Sequence, residues 1–127
     1  MSRASAPGPR FVLHEHHRPQ HHFDLRLEEA GVARSWAVPR GMPTTPDQDR
    51  LAVQVDDHDL DHLTYEDAEK SIADSGWWEE HDRSDRRILL TQHGRTASRR
   101  YALIRTDQDW LLHLTKDQPR PDPELRT

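Results

Sequence analysis

Five of the chain's ten histidines lie in the stretch 11–28, beside alternating acidic and basic residues. From residue 22 to residue 28 polar and apolar residues alternate without a break, which is the period of a strand with one wet and one buried face. A strand holds chemical groups in more constant positions than a loop does. The wet face is predicted to carry His22, Asp24, Arg26 and Glu28.

A metal site is the chemistry that these residue types favour. His16 precedes a turn at Pro19 and can fold back toward His22 and Asp24. Two imidazoles and one carboxylate suit manganese, zinc or iron, with open positions for water or substrate. A plain solvated surface rich in histidine is the alternative. Arg26 argues against that alternative, because a cation beside a metal is what binding of an anionic oxygen such as phosphate requires.

Composition limits the class of protein. A chain of 127 residues, of which 32% are hydrophobic, is long enough for one small domain and too short for two. The absence of cysteine excludes disulfides and thiolate chemistry. No apolar run reaches the length of a membrane span and no signal-peptide core follows Met1, so we expect a cytoplasmic protein with no membrane partner. The net charge of −5 argues against an extended, sequence-independent interface with a nucleic acid backbone. It is compatible with a single local site of positive charge.

The organisation of the chain is predicted as one β domain at residues 11–117, between a flexible N-terminal arm at 1–10 and a flexible C-terminal tail at 118–127. Short strand patterns separated by turn residues indicate an antiparallel barrel or sandwich. Residues 67–73 are predicted as the one helix, with acidic residues at its start and a Ser-Gly pair after its end. The strands predicted after residue 28 are 32–38, 51–55, 77–78, 87–92, 101–105 and 110–115.

The predicted core is small and depends on large aromatic side chains. The residues expected to fill it or its rim are Trp36, Trp77, Trp78 and Trp110. In the strand at 51–55, Leu51, Val53 and Val55 share one face. Extending that strand places His58 with Asp56 on the opposite face, away from the core, so a second histidine is predicted to reach a polar surface.

Several sequence blocks, taken in order, carry a resemblance to a known family. They are His16 followed six residues later by HFDLRLE at 22–28, SWAVPR at 35–40, RLAVQVDDHDLDH at 50–62 and WLLHLTKD at 110–117. Together they resemble the 3′-phosphoesterase domain of bacterial DNA ligase D, here as a short free-standing version. Sequences of that family typically contain a histidine, then five residues, then the motif HxDxRLE. The motifs SWAVPK and RLAVxVEDHPLDY follow in that order, and a similar strand that begins with tryptophan comes last.

The resemblance implies a mainly β fold, a compact antiparallel β-barrel with one or two short helices and an active-site crater. It implies an enzyme that uses Mn²⁺, with Zn²⁺ or Co²⁺ as other candidates. The implied activity removes a 3′-terminal ribonucleoside and then the 3′-phosphate, leaving a hydroxyl for DNA repair. The implied partners are DNA or RNA-tipped 3′ ends and a repair ligase or polymerase.

The resemblance also implies roles for individual residues. The metal ligands would be His16, His22 and Asp24. Arg26 would clamp the phosphate and His58 would contact the scissile phosphate, with Arg40 and Arg50 as supporting cations. Glu28 would either orient Arg26 or a ligand histidine, or be a surface charge paired with Arg26.

The chain departs from the family pattern at three places. His62 replaces a tyrosine, and because both side chains can hydrogen-bond a phosphate we include His62 among the catalytic residues. The segment 66–76, which contains the predicted helix, replaces a glycine-rich segment. The N-terminal arm is short. The histidines without an assigned role, predicted to be solvated neighbours, are His14, His17 and His21.

Two other functions are compatible with the same residues. A module that binds DNA ends with a metal but without turnover would account for the reduced periphery. A non-haem iron oxygenase would also use two histidines and one carboxylate on a β-barrel. Arg26 and the order of the sequence blocks count against the oxygenase.

Overall fold

The computed structural model describes residues 7–120 of the protein. Most of the two predicted flexible ends, residues 1–6 and 121–127, therefore lies outside the described residues. The strands are β1 (Arg10–His16), β2 (His22–Glu29), β3 (Val32–Val38), β4 (Arg50–His58), β5 (Lys70–Ser84), β6 (Arg87–His93), β7 (Ser98–Arg105) and β8 (Trp110–Leu114). A 3₁₀ helix, Leu60–Thr64, lies between β4 and β5.

The strands close into one antiparallel barrel with the order β1-β2-β3-β4-β8-β7-β6-β5. The prediction of a mainly β antiparallel barrel is confirmed, and the short 3₁₀ helix is the helical element of residues 7–120. β1 and β2 pair from Phe11 opposite Leu27 to His16 opposite His22, so the two histidine-rich segments are neighbouring strands. No helix in these residues is long and apolar enough to cross a bilayer.

The barrel interior holds the main hydrophobic core, to which all eight strands contribute. Trp36, Trp78 and Trp110 are buried in it, as predicted. Trp77 is only partly buried and stacks on the His93 ring with centroids 4.1 Å apart, which makes it a rim residue.

A second, smaller cluster lies on the outer face of the sheet. Val12, Ala33 and Leu63 form it, with Leu60 and Ile72 packed against them. Leu60 and Leu63 belong to the 3₁₀ helix, so this helix covers the outer face of β1 and β3. The cover produces a polar layer between the sheet and the helix, and the candidate site lies there.

The predicted helix at 67–73 is wrong, because β5 begins at Lys70. Asp67 Oδ1 accepts hydrogen bonds from the backbone N–H groups of Glu69 and Lys70, each 2.8 Å long, and so forms a turn instead of capping a helix. β5 then pairs with β1 on one side and β6 on the other, which closes the barrel and removes two open strand edges. Long-range pairing therefore outweighs the local helix signal.

The expected faces of β4 are reversed. Ala52 is fully buried, whereas Leu51 is 46% exposed and lies on the outer face. The interior at this level is filled by Trp36 and Trp110, whose rings meet with centroids 5.8 Å apart, so only a small side chain fits beside them. An irregularity in the β3–β4 pairing then shifts His58 to the outer face.

Candidate active site

The site lies on the outer face of β1 to β4, where the registers bring polar residues side by side. His14 pairs with Asp24, and Arg26 pairs with Ser35. The prediction that this face of β2 is wet is wrong for its two central residues, because Asp24 is 6% exposed and Arg26 is 2% exposed. His22 and Glu28, at the two ends of the face, are partly exposed. The middle of the polar side of β2 is therefore buried.

The predicted metal ligands His16, His22 and Asp24 come together at the open end of this layer. Their ligand atoms all lie within 4.8 Å of one another. Asp24 is the centre, with Oδ2 2.8 Å from His16 Nε2 and Oδ1 3.6 Å from His22 Nε2. The two imidazole rings stack with centroids 4.5 Å apart. Because the turn at 17–21 returns the chain, β1 and β2 each deliver ligands to the same point.

The donor set has the chemistry of a divalent metal site. His22 Nδ1 donates to the carbonyl oxygen of Gln20 at 2.9 Å, which leaves Nε2, the nitrogen nearer Asp24, as the one that can bind a metal. Burial lowers the pKa of His16, which favours the neutral ring that a metal requires. Two imidazole nitrogens and a carboxylate oxygen fit manganese, zinc or cobalt.

Arg26 organises the buried part of the layer. Its Nε donates to His14 Nδ1 at 3.1 Å, its Nη1 to Ser35 Oγ at 2.9 Å, and its Nη2 to Asp24 Oδ2 at 3.2 Å. Nη1 also lies 3.1 Å from His58 Nδ1. Burial lowers the pKa of Arg26, whereas the negative charge of Asp24 raises it. A guanidinium stays charged in proteins in either case. Arg26 thus links the metal-ligand candidate Asp24 to His58.

His14 belongs to this layer, although sequence reasoning did not place it there. It was predicted to be solvated, but it is fully buried, so that prediction is wrong. Its Nε2 donates to the Tyr65 carbonyl oxygen at 2.8 Å, which leaves Nδ1 to accept from Arg26. Burial lowers the pKa of His14 to about 4, so the ring is neutral near pH 7. The signal was its spacing, two residues before His16 on the same strand face.

The other two unassigned histidines are exposed, as predicted. His17 Nε2 lies 3.1 Å from Ser71 Oγ. His21 Nε2 lies 2.6 Å from Glu15 Oε2. Both contacts are at the surface, outside the polar layer.

His58 and His62 both reach the site. Their rings are 4.5 Å apart, and His62 stacks on Tyr65 with centroids 5.1 Å apart. Burial and the nearby Arg26 lower the pKa of His58, and the same causes lower the pKa of His62 to about 4. Both imidazoles therefore lie beside Arg26 in the polar layer, where burial favours their neutral form.

Lys70 is a second residue that sequence reasoning missed, because its segment was assigned to a helix. It is the first residue of β5 and pairs with His16 on β1. Its Nζ lies 2.8 Å from His62 Nε2. Burial lowers the pKa of Lys70, and the positive charge of Arg26 lowers it further.

The remaining predicted residues lie apart from this cluster. Glu28 accepts from the backbone N–H and the Nε of Arg10, at 2.8 and 3.2 Å. Among residues 7–120 its carboxylate makes no hydrogen bond with Arg26, His16 or His22, so the predictions that it orients one of these residues or pairs with Arg26 are wrong. Arg40 is exposed in the turn after β3. Arg50 is partly buried, and its Nε has no hydrogen-bond partner among residues 7–120. The supporting role of these two arginines at a phosphate stays a prediction.

Comparison with known proteins agrees with the family resemblance of the sequence blocks. Residues 14–105 match the family model of the DNA ligase D 3′-phosphoesterase domain. The chain is 38% identical over 136 residues to the multifunctional non-homologous end joining protein LigD of Mycolicibacterium smegmatis, covering 91% of this chain and 18% of that protein. It is 39% identical over 125 residues to the corresponding DNA repair protein of Mycobacterium tuberculosis, covering 87% of this chain and 16% of the relative.

A more distant relative gives the same result. The multifunctional non-homologous end joining protein LigD of Pseudomonas aeruginosa is 34% identical over 128 residues, with 85% of this chain and 15% of the relative covered. The chain spans less than a fifth of the length of these curated relatives. The family match covers the site residues from His14 to Lys70. This chain belongs to the DNA ligase D 3′-phosphoesterase domain family.

Proposed function

We propose that this chain is a metal-dependent phosphoesterase that processes 3′ ends in DNA repair. It would remove a 3′-terminal ribonucleoside, a 3′-phosphate or both, and leave a 3′-hydroxyl. The observation that carries the proposal is the cluster of His16, His22 and Asp24 joined through Arg26 to His58. Family membership supports the same class of reaction.

The proposed metal is Mn²⁺, with Zn²⁺ or Co²⁺ as alternatives, held by His16, His22 and Asp24. When bound, such an ion neutralises charge on phosphate oxygens and lowers the pKa of a coordinated water. Arg26 orients Asp24 by donating to Oδ2 at 3.2 Å, and Gln20 orients His22.

His58 is proposed to contact the scissile phosphate. A guanidinium can only donate, so the contact with Arg26 requires His58 Nδ1 to accept. The neutral His58 ring then carries its proton on Nε2, where it can donate to a phosphate oxygen or to the leaving oxygen. Phosphoryl transfer depends mainly on positioning and charge neutralisation, which these residues supply.

The proposed substrates are DNA or RNA-tipped DNA 3′ ends, and a repair ligase or polymerase would use the product. The overall charge of −5 disfavours a long contact with the nucleic acid backbone. We therefore expect the protein to hold a few terminal nucleotides, with the positive groups concentrated in the crater.

The test uses a 5′-labelled primer-template that ends in one ribonucleotide, incubated with the protein with and without Mn²⁺ and resolved on a gel. The expected result is metal-dependent shortening to a 3′-phosphate and then conversion to a 3′-hydroxyl. Inactivity of a protein that holds its metal and binds the primer end would contradict the proposal and support an end-binding module. Iron-dependent oxygen consumption with a small co-substrate would support an oxygenase.

A further inference from the structure

Lys70 lies beside His62, at the edge of the polar layer, in a position that the backbone fixes. It pairs with His16, so its side chain projects from the same face of the sheet as that metal-ligand candidate. The Asp67 turn holds its backbone through two hydrogen bonds, from Lys70 N to Asp67 Oδ1 at 2.8 Å and from Asp67 N to Lys70 O at 2.9 Å. The ammonium group is therefore delivered by a strand and a turn, not by a free loop.

The charge of Lys70 is left without an acidic partner. It forms no ion pair with a carboxylate within residues 7–120, and its Nζ instead contacts His62 Nε2 at 2.8 Å and lies 5.4 Å from the centre of the Tyr65 ring. Arg26 differs from it, because that guanidinium is 2% exposed and most of its N–H groups are used inside the protein. Of the two cations, Lys70 is the accessible one.

The contact with His62 leaves binding capacity on the ammonium group. Lysine donates three hydrogen bonds, and one of them goes to His62 Nε2, which must accept it. The other two N–H groups have no protein acceptor in the described part of the chain. A half-buried cation with two free donors beside a candidate metal centre is suited to an anionic oxygen.

We propose that Lys70 is a substrate-contacting residue whose ammonium group binds a non-bridging oxygen of the 3′-terminal phosphate and favours a phosphomonoester over a phosphodiester. This inference rests on the proposed function. A phosphomonoester carries about −1.5 to −2 charges at pH 7, whereas a diester carries one, so an added cation stabilises the monoester more. His62 holds the lysine in place, and Arg26 orients the groups behind it.

The experiment compares Lys70→Met and Lys70→Arg with Lys116→Met, a control at the chain's other lysine, which is exposed. Each protein is assayed with Mn²⁺ on an oligonucleotide with a 3′-phosphate and on one with a 3′-terminal ribonucleoside. For Lys70→Met we expect kcat/KM on the 3′-phosphate to fall about tenfold or more, mainly through KM, with a smaller loss on the ribonucleoside end. Lys70→Arg should retain most of the activity, and Lys116→Met should match the wild type.

A binding measurement without turnover separates this inference from the proposed function. Fluorescence anisotropy of a single-stranded oligonucleotide in EDTA compares a 3′-phosphate with a 3′-hydroxyl end. Lys70→Met should lose the preference for the phosphate. The slope of its log Kd against log salt concentration should be smaller than that of the wild type by about 0.7. An inactive wild type that holds its metal and binds the primer end would refute the proposed function alone. Equal preference for the phosphate in Lys70→Met and Lys116→Met would overturn the role of Lys70, whatever the activity.

Discussion

The two faces of β2 are buried to the same degree by different means. On the interior face Leu25 and Leu27 are fully buried in the barrel core. On the outer face Asp24 and Arg26 are 6% and 2% exposed, beneath polar partners and the 3₁₀ helix. The interior needs only volume and apolar surface, whereas the outer face needs a partner for each polar group. Because each buried polar group on the outer face must meet its partner, burial there fixes the positions of these side chains relative to one another. A reactive site requires such fixed positions.

The largest expected effect is on activity, at the open end of the outer face. His22→Ala removes one of three metal-ligand candidates, so we expect metal-dependent phosphoesterase activity to fall below detection. The fold should persist, because His22 is partly exposed and contributes little to either core. Metal content by mass spectrometry, turnover and thermal unfolding check this prediction.

His21→Ala is the matched control, since His21 is an exposed histidine next in sequence. It should keep both metal and activity. Normal metal content and rate in His22→Ala would show that the open end of the outer face is not the metal centre.

The next effect is on stability and compares the two faces directly. Arg26→Ala leaves Asp24 and His14 without their buried partner, and we expect a loss of about 3–5 kcal/mol in the free energy of unfolding. Leu25→Ala on the interior face should cost about 2–5 kcal/mol through lost burial and a cavity. Urea unfolding in EDTA measures both without any contribution from metal.

Arg87→Ala provides the control, because Arg87 pairs with Asp82 at an exposed position. Such a pair contributes about 0–1 kcal/mol. If Arg26→Ala were as mild as this control, the polar contacts of the outer face would not hold the structure, and the comparison of the two faces would fail.

Local sequence is sufficient to predict the cluster of metal-ligand candidates but not the residues that surround it. His16, His22 and Asp24 could be predicted because a turn joins two adjacent antiparallel strands and alternation fixes their faces. The family resemblance added His62 and a phosphate-contacting role for His58, and the structure brings both residues to the same layer. These inferences depend on short-range pairing or on motifs, both of which are visible in the chain.

The parts that were missed depend on contacts between distant segments. Lys70 reaches the polar layer only because β5 closes the barrel against β1, and the acidic residues before it resemble a helix start. The burial of His14 depends on the Tyr65 carbonyl, 51 residues away. The reversed face of Leu51 follows from how Trp36 and Trp110 fill the interior. Packing of this kind cannot be predicted from the periodicity of hydrophobic residues in the sequence.

The smallest expected effect is on the pH dependence of stability, which should come from the outer face. Burial and Arg26 lower the pKa of His62 from 6.5 to about 4 in the folded protein. Between these values the unfolded chain binds a proton at this position and the folded protein does not, so His62 makes stability fall as the pH is lowered from 6.5 toward 4.

His62→Tyr keeps an aromatic ring against Tyr65 and removes that titration. In EDTA its midpoint of urea unfolding should fall less than that of the wild type between pH 7 and pH 5, whereas His17→Gln, a change at an exposed histidine, should follow the wild type. Because apolar groups do not titrate, the interior face cannot produce the difference. Parallel pH profiles for His62→Tyr and the wild type would mean that the His62 ring is solvated and that the polar layer ends before it.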